Sequence, residues 1–187
     1  MHFLENENIV LRAIEPEDVD DLFAVENDRK LWQVSNTLAP FSRHLLEQYI
    51  SKAHQDIFEA RQLRLAISPL GDRELLGLID LFDFDPQHRR AGLGIVVLEK
   101  HQHKGIASQA LGMMRDYAFG HLDLHQIYAH IPADNESSRR LFERAGFRQS
   151  GTLKDWIRSG QDFVNVDLYQ SINPSTPKDQ KLKTGGK

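Results

Sequence analysis

At 187 residues, 40% of them hydrophobic and 27% charged, the chain has the size of one domain and a balance that excludes a wholly disordered polyampholyte. It has no cysteine, which excludes disulfides, thiolate catalysis and cysteine-ligated metal clusters and points to a cytoplasmic protein. The formal charge of −4 is unevenly spread: four lysines against Asp179 make the stretch from Asn173 to Lys187 +3, so the body before it must be −7. That is a poor match to nucleic acid and a favourable field for cationic ligands.

Met1-His2-Phe3-Leu4-Glu5 lacks the charged and apolar regions of a signal peptide, and no later apolar run approaches the ~20 residues of a membrane span, so no membrane association is expected. Ile9 to Ile14 reads as a strand. Pro16 suits the first turn of a helix, where its missing N–H would be unpaired anyway, and Val19, Leu22 and Phe23 continue it. Leu45, Leu46, Tyr49, Ile50, Ala53 and Ile57 form a stripe that predicts one helix from Ser42 to Ala60. Leu63, Leu65 and Ile67 alternate as in a half-buried strand. Leu75–Phe84 and Gly92–Leu98 are the next two strands, with Asp85-Pro86-Gln87-His88 as the turn between them.

From Gly105 the apolar spacing becomes helical through Ala118, and it returns to alternation at Ile127, Ala129 and Ile131. Asn135 is placed to cap a further helix that buries Leu141, Phe142 and Ala145, and Gly146 suits its left-handed exit. Ser150–Ile157 and Val164–Ser171 form a hairpin around Ser159-Gly160-Gln161. The expectation is an α/β fold in a single domain over residues 1–172. Its central sheet is mixed and mostly antiparallel, with about seven strands and about four flanking helices. The polar stretch 173–187 has no apolar period and is expected to be disordered.

The stretch Leu98-Glu99-Lys100-His101-Gln102-His103-Lys104-Gly105-Ile106-Ala107 carries the strongest chemical signal. A strand ends, a turn follows, and a helix opens with two small residues two apart. Unpaired N–H groups and the partial positive charge of a helix start can bind a phosphate, and Gly105 would let an anion approach the backbone. Neither a Walker loop nor a dinucleotide fingerprint is present, because Gly92-x-Gly94 lies inside a strand and lacks a third glycine. Spacing alone also fits an ordinary helix start.

Gln102-His103-Lys104-Gly105-Ile106-Ala107 resembles the Gln/Arg-x-x-Gly-x-Gly/Ala signature of the GCN5-related N-acetyltransferases, and Asn135-Glu136-Ser137-Ser138…Leu141-Phe142-Glu143-Arg144-Ala145-Gly146-Phe147 resembles that family's second motif. The similarity runs from about Ile9 to Ser171. Its layout is nearest to the branches containing spermidine acetyltransferases and ribosomal-protein N-terminal acetyltransferases. The resemblance implies a sheet splayed between two parallel strands, with acetyl-CoA as cosubstrate and no metal. Ile95, Val96, Val97 and Leu98 would pair with pantetheine. Gln102, His103, Lys104, Gly105, Ile106, Ala107 and Ser108 would hold the pyrophosphate, and Asn135 would touch the cofactor from the opposite wall as well as capping its helix. Backbone N–H groups near Val97 and Leu98 would stabilise the oxyanion.

Many relatives place a tyrosine where this chain has Phe142, which carries no transferable proton. For the amine side, Asp80 and Asp83 interrupt an apolar strand, on opposite faces unless a bulge intervenes. The resemblance favours Asp80 as the group that binds the ammonium and orients a proton-accepting water. Trp32, Asn36, Phe41 and Trp156 are further candidates for the acceptor site, since aromatic faces hold cations. His101-x-His103 and His121-x-x-x-His125 lack a third ligand, so no metal is expected. The implied function is acetyl transfer to a primary amine, with a polyamine or other small cationic amine favoured. The alternatives are a protein N-terminus as acceptor, or a non-catalytic acyl-CoA-binding module. Homo-oligomers are allowed, and nucleic acid is not an expected partner.

Overall fold

The computed structural model describes residues 3–35, 37–52 and 55–175. In chain order the elements are β1 (Ile9–Arg12), α1 (Val19–Glu26), α2 (Arg29–Ser35), α3 (Arg43–Ser51), α4 (Ile57–Ala60), β2 (Leu63–Pro69), β3 (Gly77–Asp85) and β4 (Arg90–Val97). Then come α5 (Ile106–Gly120), β5 (Gln126–Pro132), α6 (Glu136–Arg144), β6 (Arg148–Ser159) and β7 (Asp162–Ile172). The seven strands form one sheet in the order β1-β2-β3-β4-β5-β7-β6, antiparallel throughout except for β4 beside β5. This is the mixed, mostly antiparallel α/β sheet expected, with six α-helices among the described residues where about four were predicted.

The extra helices come from chain breaks that periodicity does not see. The stripe from Leu45 to Ile57 spans two helices, because the Asp56 carboxylate accepts the N–H groups of Phe58 and Glu59 and starts a new one. The two pieces serve different cores. Leu46 and Ile50 pack with Leu22, Val25 and Leu78, whereas Ile57 packs on the opposite face of the sheet with Leu65 and Ile79. Leu45 is exposed, and Ala53 lies outside the described residues.

α5 covers that second face. Ala110, Leu111, Met114 and Ala118 bury against Ile79, Leu81, Ala91 and Ile127 of β3, β4 and β5. Each of the larger of these side chains contributes roughly 1.5–3 kcal/mol when fully buried. Because helices cover both faces of β2 and β3, neighbours such as Ala66 and Ile67, or Leu78 and Ile79, are all buried.

β4 and β5 are bonded only over Arg90–Gly92 and Gln126–Tyr128, and beyond that they part. At the parting point the Phe82 ring lies across Gly92, where an added Cβ would stand 2.3 Å from a ring carbon, and Tyr128 meets the same ring edge-on at 6.1 Å. β3 carries a bulge between Phe82 and Asp85, with Asp83 at φ 48°. That bulge is the condition under which Asp80 and Asp83 are released from strict alternation.

The folded body reaches past β7. Asn173, placed by sequence at the head of the polar stretch, is buried, and its amide donates to Leu124 O at 3.0 Å. The stretch from residue 176 onward lies outside the described residues.

Candidate active site

Successive residues of a strand aim their backbone groups to opposite sides in the sheet plane. Leu98 N–H donates to Leu76 O at 2.9 Å, toward β3. Val96 therefore also bonds toward β3, and Ile95 and Val97 present their backbone groups to the split. Val97 O accepts from Gln102 Nε2 at 3.0 Å, which leaves the Val97 N–H facing the gap. The backbone groups of Val96 and Leu98, both expected to pair with pantetheine, are directed to β3 instead, and the Leu98 N–H is not free as an oxyanion donor. Gln102, expected at the pyrophosphate, uses one side-chain N–H to hold Val97 O.

Past β4 the chain turns through a short 3₁₀ segment, Glu99–His101, and enters α5 with His103 at φ 62° and Gly105 at φ 78°. Two left-handed residues two apart fold the backbone into a concave run of amides. The first bond of α5 is from Gln109 N–H to Gly105 O, so the N–H groups of Ile106, Ala107 and Ser108 have no acceptor one turn back. An added Cβ at Gly105 would meet nothing closer than 3.9 Å, so glycine is needed there for its φ rather than for space.

A cavity of about 650 Å³ runs from Ile95, Val96 and Val97 along His103, Gly105, Ile106, Ala107 and Ser108. Its far wall is α6, through Asn135, Ser137, Ser138, Arg140, Leu141 and Arg144. Gln102 also lines it, whereas Leu98 and Lys104 do not. His101, buried at its edge, has Nε2 3.2 Å from Glu74 Oε1, a carboxylate that also accepts from Lys100. Lys100 comes first among the causes that hold the Glu74 carboxyl below its ordinary range.

A second cavity of about 440 Å³ opens beside the split, walled by Phe82, Gly94, His130, Phe142, Trp32 and Trp156, with Arg158 at its edge. Ile95, Asn135 and Ser138 line both cavities and mark where they meet. Asn135 Oδ1 accepts from the Ser138 N–H at 3.1 Å and from the Ser137 hydroxyl at 2.9 Å, so the helix cap and the cavity wall are one residue. Ser138 stands one helical turn before Phe142, on the same face. Phe142 itself is buried, with its ring edge-on to Phe147 at 5.0 Å.

The acceptor-side expectations divide. Trp32 and Trp156 both line the second cavity. Trp32 is fixed by its Nε1–H bond to Glu26 O at 2.9 Å, and Trp156 is 60% exposed. Phe41 does not line it: its ring packs in the core beneath α1 and α3, and its backbone bonds both ends of the Asn27 amide. Asn36 lies outside the described residues. Asp83 is exposed at the bulge beside Tyr128, whose phenol is pushed up first by burial and then by that carboxylate.

Asp80 is not free to receive an ammonium. Arg64 Nε donates to its Oδ1 at 2.5 Å, and Arg64 Nη1 donates to Glu26 Oε1 at 2.6 Å. Burial works against the Arg64 charge, but Asp80 outweighs it through its charge and hydrogen bond, and the guanidinium is held above its ordinary range. Among the described residues no Asp or Glu lines either cavity.

Sequence reasoning missed Ser137, Ser138, Arg140 and Arg144. Their signal was present in the second motif, because steps of three and four join Asn135 to Ser138, Ser137 to Arg140 and Leu141, and both of these to Arg144, along one helix face. It missed His130 because β5 was read only for its buried set, Ile127, Ala129 and Ile131.

A split parallel strand pair with an amide nest at the following helix defines a cleft for an extended ligand that carries a diphosphate. A family model described as an acetyltransferase (GNAT) domain matches residues 8–148, and the chain belongs to that family of N-acetyltransferases, which use acetyl-CoA. The chain is 30% identical over 169 residues to the spermidine N(1)-acetyltransferase of Vibrio cholerae, covering 89% of this chain and 95% of that protein. It is 29% identical over 175 residues to the Bacillus subtilis N-acetyltransferase YoaA, covering 91% and 97%. Among solved structures, a spermidine N-acetyltransferase of Vibrio cholerae in complex with CoA and spermine superposes with a TM-score of 0.81 at 26% identity, over 90% of this chain and 97% of that one.

Proposed function

We propose that this enzyme acetylates a small primary amine of the polyamine class. The observation that carries the reading is the junction at Ile95, Asn135 and Ser138, where a cavity of about 440 Å³ faced by two indoles opens onto the cavity that ends in the amide nest. A pocket of that size accepts a small molecule. The net negative charge of the chain, the indole faces and the spermidine acetyltransferases among its relatives support a cationic acceptor.

When bound, acetyl-CoA would supply a thioester whose carbonyl carbon accepts the amine and whose sulfur is the leaving group. The amides from His103 to Ser108 hold the diphosphate, and the Val97 N–H is placed to stabilise developing charge on the carbonyl oxygen. An alkyl ammonium like that of lysine, pKa ~10.4, costs about 4.6 kcal/mol to neutralise at pH 7. With Asp80 held by Arg64, His130, whose imidazole lines the acceptor cavity, is the residue we assign to take the proton of the amine. The second proton, released by the nitrogen as the amide forms, reaches the leaving sulfur through the Ser138 hydroxyl, which takes one proton as it gives one, so that the products are the amide and free thiol.

A second reading rests on Arg158, which faces the acceptor cavity and favours an amine that also carries an anionic group. Thiol release from acetyl-CoA across a panel of polyamines, amino acids and N-terminal peptides decides between them. The expected result is highest kcat/KM for spermidine or spermine. Turnover confined to anionic amines or peptides overturns the polyamine assignment, and binding without turnover of any amine leaves a non-catalytic module.

A further inference from the structure

The turn that carries β4 into the amide nest buries a histidine whose counterpart lies on a different turn. His101 is 8% exposed, and its Nε2 is buried without a hydrogen bond among the described residues. Glu74 Oε1 stands 3.2 Å from that nitrogen, in contact without being aligned as a hydrogen bond. With the ring proton on Nδ1 alone, Nε2 would point a buried lone pair at a carboxylate, acceptor against acceptor. A proton on Nε2 makes the same contact attractive, so the carboxylate selects that form of the ring. Glu74 has a fixed mount. Its N–H and that of Arg73 donate to Asp72 Oδ1 at 3.1 and 2.5 Å, and Arg12 Nη2 donates to Arg73 O at 3.0 Å. Leu75 and Leu76, which follow it, are buried, and Leu76 O takes the Leu98 N–H.

His101 ends the turn Glu99–His101, where its N–H donates to Leu98 O at 2.8 Å. His103 at φ 62° and Gly105 at φ 78° follow directly. One side of this turn is tied to β4 by Gln102, through Val97 O. The His101 ring ties the other side to the turn between β2 and β3. We propose that Glu74 is a positioning residue for the nest: by holding the His101 ring it fixes the turn from which His103 and Gly105 take their left-handed angles, and so aims the amides that follow. This role rests on the cofactor reading of the cleft, and Glu74 acts from outside it, since it is not among the residues that line the cavity. Charge and position give opposite signs here. A carboxylate near a diphosphate repels it, so by its field alone Glu74 would weaken coenzyme A binding and its loss would strengthen it. As a support for the nest, its loss weakens binding instead.

Calorimetric titration of the full chain with coenzyme A, beside kcat and KM for acetyl-CoA and for spermidine, tests the role. Glu74→Ala is expected to weaken coenzyme A binding about tenfold and to raise the acetyl-CoA KM by a similar factor, with kcat and the spermidine KM unchanged. Glu74→Gln keeps an oxygen that can accept from Nε2 and should retain most of the affinity. His101→Phe keeps a buried ring without its nitrogens and should match the loss in Glu74→Ala. The double variant should lose no more than either single one, because both changes break the same link. Glu74 is exposed, so melting curves close to wild type are expected to show that its variants are folded. Unchanged or tighter coenzyme A binding in Glu74→Ala, or losses that add in the double variant, overturns the positioning role. A wild-type protein that does not bind coenzyme A overturns the cofactor reading beneath it.

Discussion

Arg64 holds Asp80. The guanidinium sits between the β3 carboxylate and Glu26 of α1, with Tyr49 of α3 5.8 Å below its face, so one cation ties two helices to the sheet behind the acceptor cavity. The carboxylate that sequence singles out for substrate thus has a structural partner sixteen residues away. Asp80→Asn should lower the melting temperature, and an Asp80→Asn/Arg64→Met double-mutant cycle should give a coupling of about 1.5–3 kcal/mol. A cycle with no coupling, together with a large rise in amine KM for Asp80→Asn alone, would return Asp80 to the substrate.

Ser138→Ala should reduce kcat by about 10²-fold, in the range of a lost general acid, with little change in the affinity for coenzyme A. A thiol that ionises at about pH 8.5 is a tolerable leaving group even as the bare thiolate, so measurable turnover should survive. An unchanged kcat would remove Ser138 from proton transfer.

His130→Gln should remove a proton acceptor from the amine side. The expected outcome is a fall in kcat/KM for the amine of about 10²-fold. A variant that keeps the wild-type kcat/KM places the acceptor elsewhere.

Gly105→Ala forces a β-carbon onto a residue at φ 78°, at a cost of about 1–2 kcal/mol, although the space beside it is open. Relief of that strain would rotate the amides that face the cofactor. Coenzyme A affinity should fall at least as steeply as stability, which parallel titration and melting measurements can compare.

Asp18 anchors the entry to α1. Its carboxylate is buried, which by itself would raise its pKa, but the bonds from Arg12 at 2.7 and 2.8 Å and from the Glu15 N–H at 2.8 Å outweigh that and hold it below its ordinary range. A depressed carboxyl stabilises the fold at pH values above its unfolded pKa of ~3.9, and the contribution disappears as pH falls through the lower folded value. Asp18→Asn should cost about 3–5 kcal/mol at pH 7, because it leaves Arg12 uncompensated, and should flatten the acid limb of the stability curve. An unaltered acid limb would assign the transition to other carboxylates.

The legible parts were those whose information is local. The nest is written in six consecutive residues, from Gln102 to Ala107, because turn, left-handed glycine and helix start are decided by neighbours. Asn135 could be read as a cap because a cap bonds three residues ahead, and it does. The seven strands followed from period and turns. The misreadings share a different cause. Phe41 is aromatic and near the site in sequence, yet a core formed by Leu22, Leu46 and Leu78 takes its ring. Leu98 lies just past a strand that was correctly found, but the direction of its N–H depends on register with Leu76 across the hairpin.

From the order of residues alone came the element types, the amide nest, the second motif and with them the cofactor class, since each depends on contacts within a turn or two of helix or strand. Tertiary structure alone decided which carboxylates are occupied, which backbone donors reach the gap and which face of α6 meets it. Those outcomes depend on partners brought together across the sheet, such as Arg64 with Asp80 and Glu26. A polar group's chemistry is set by whatever competes for it in space, and distance along the chain does not encode that competition.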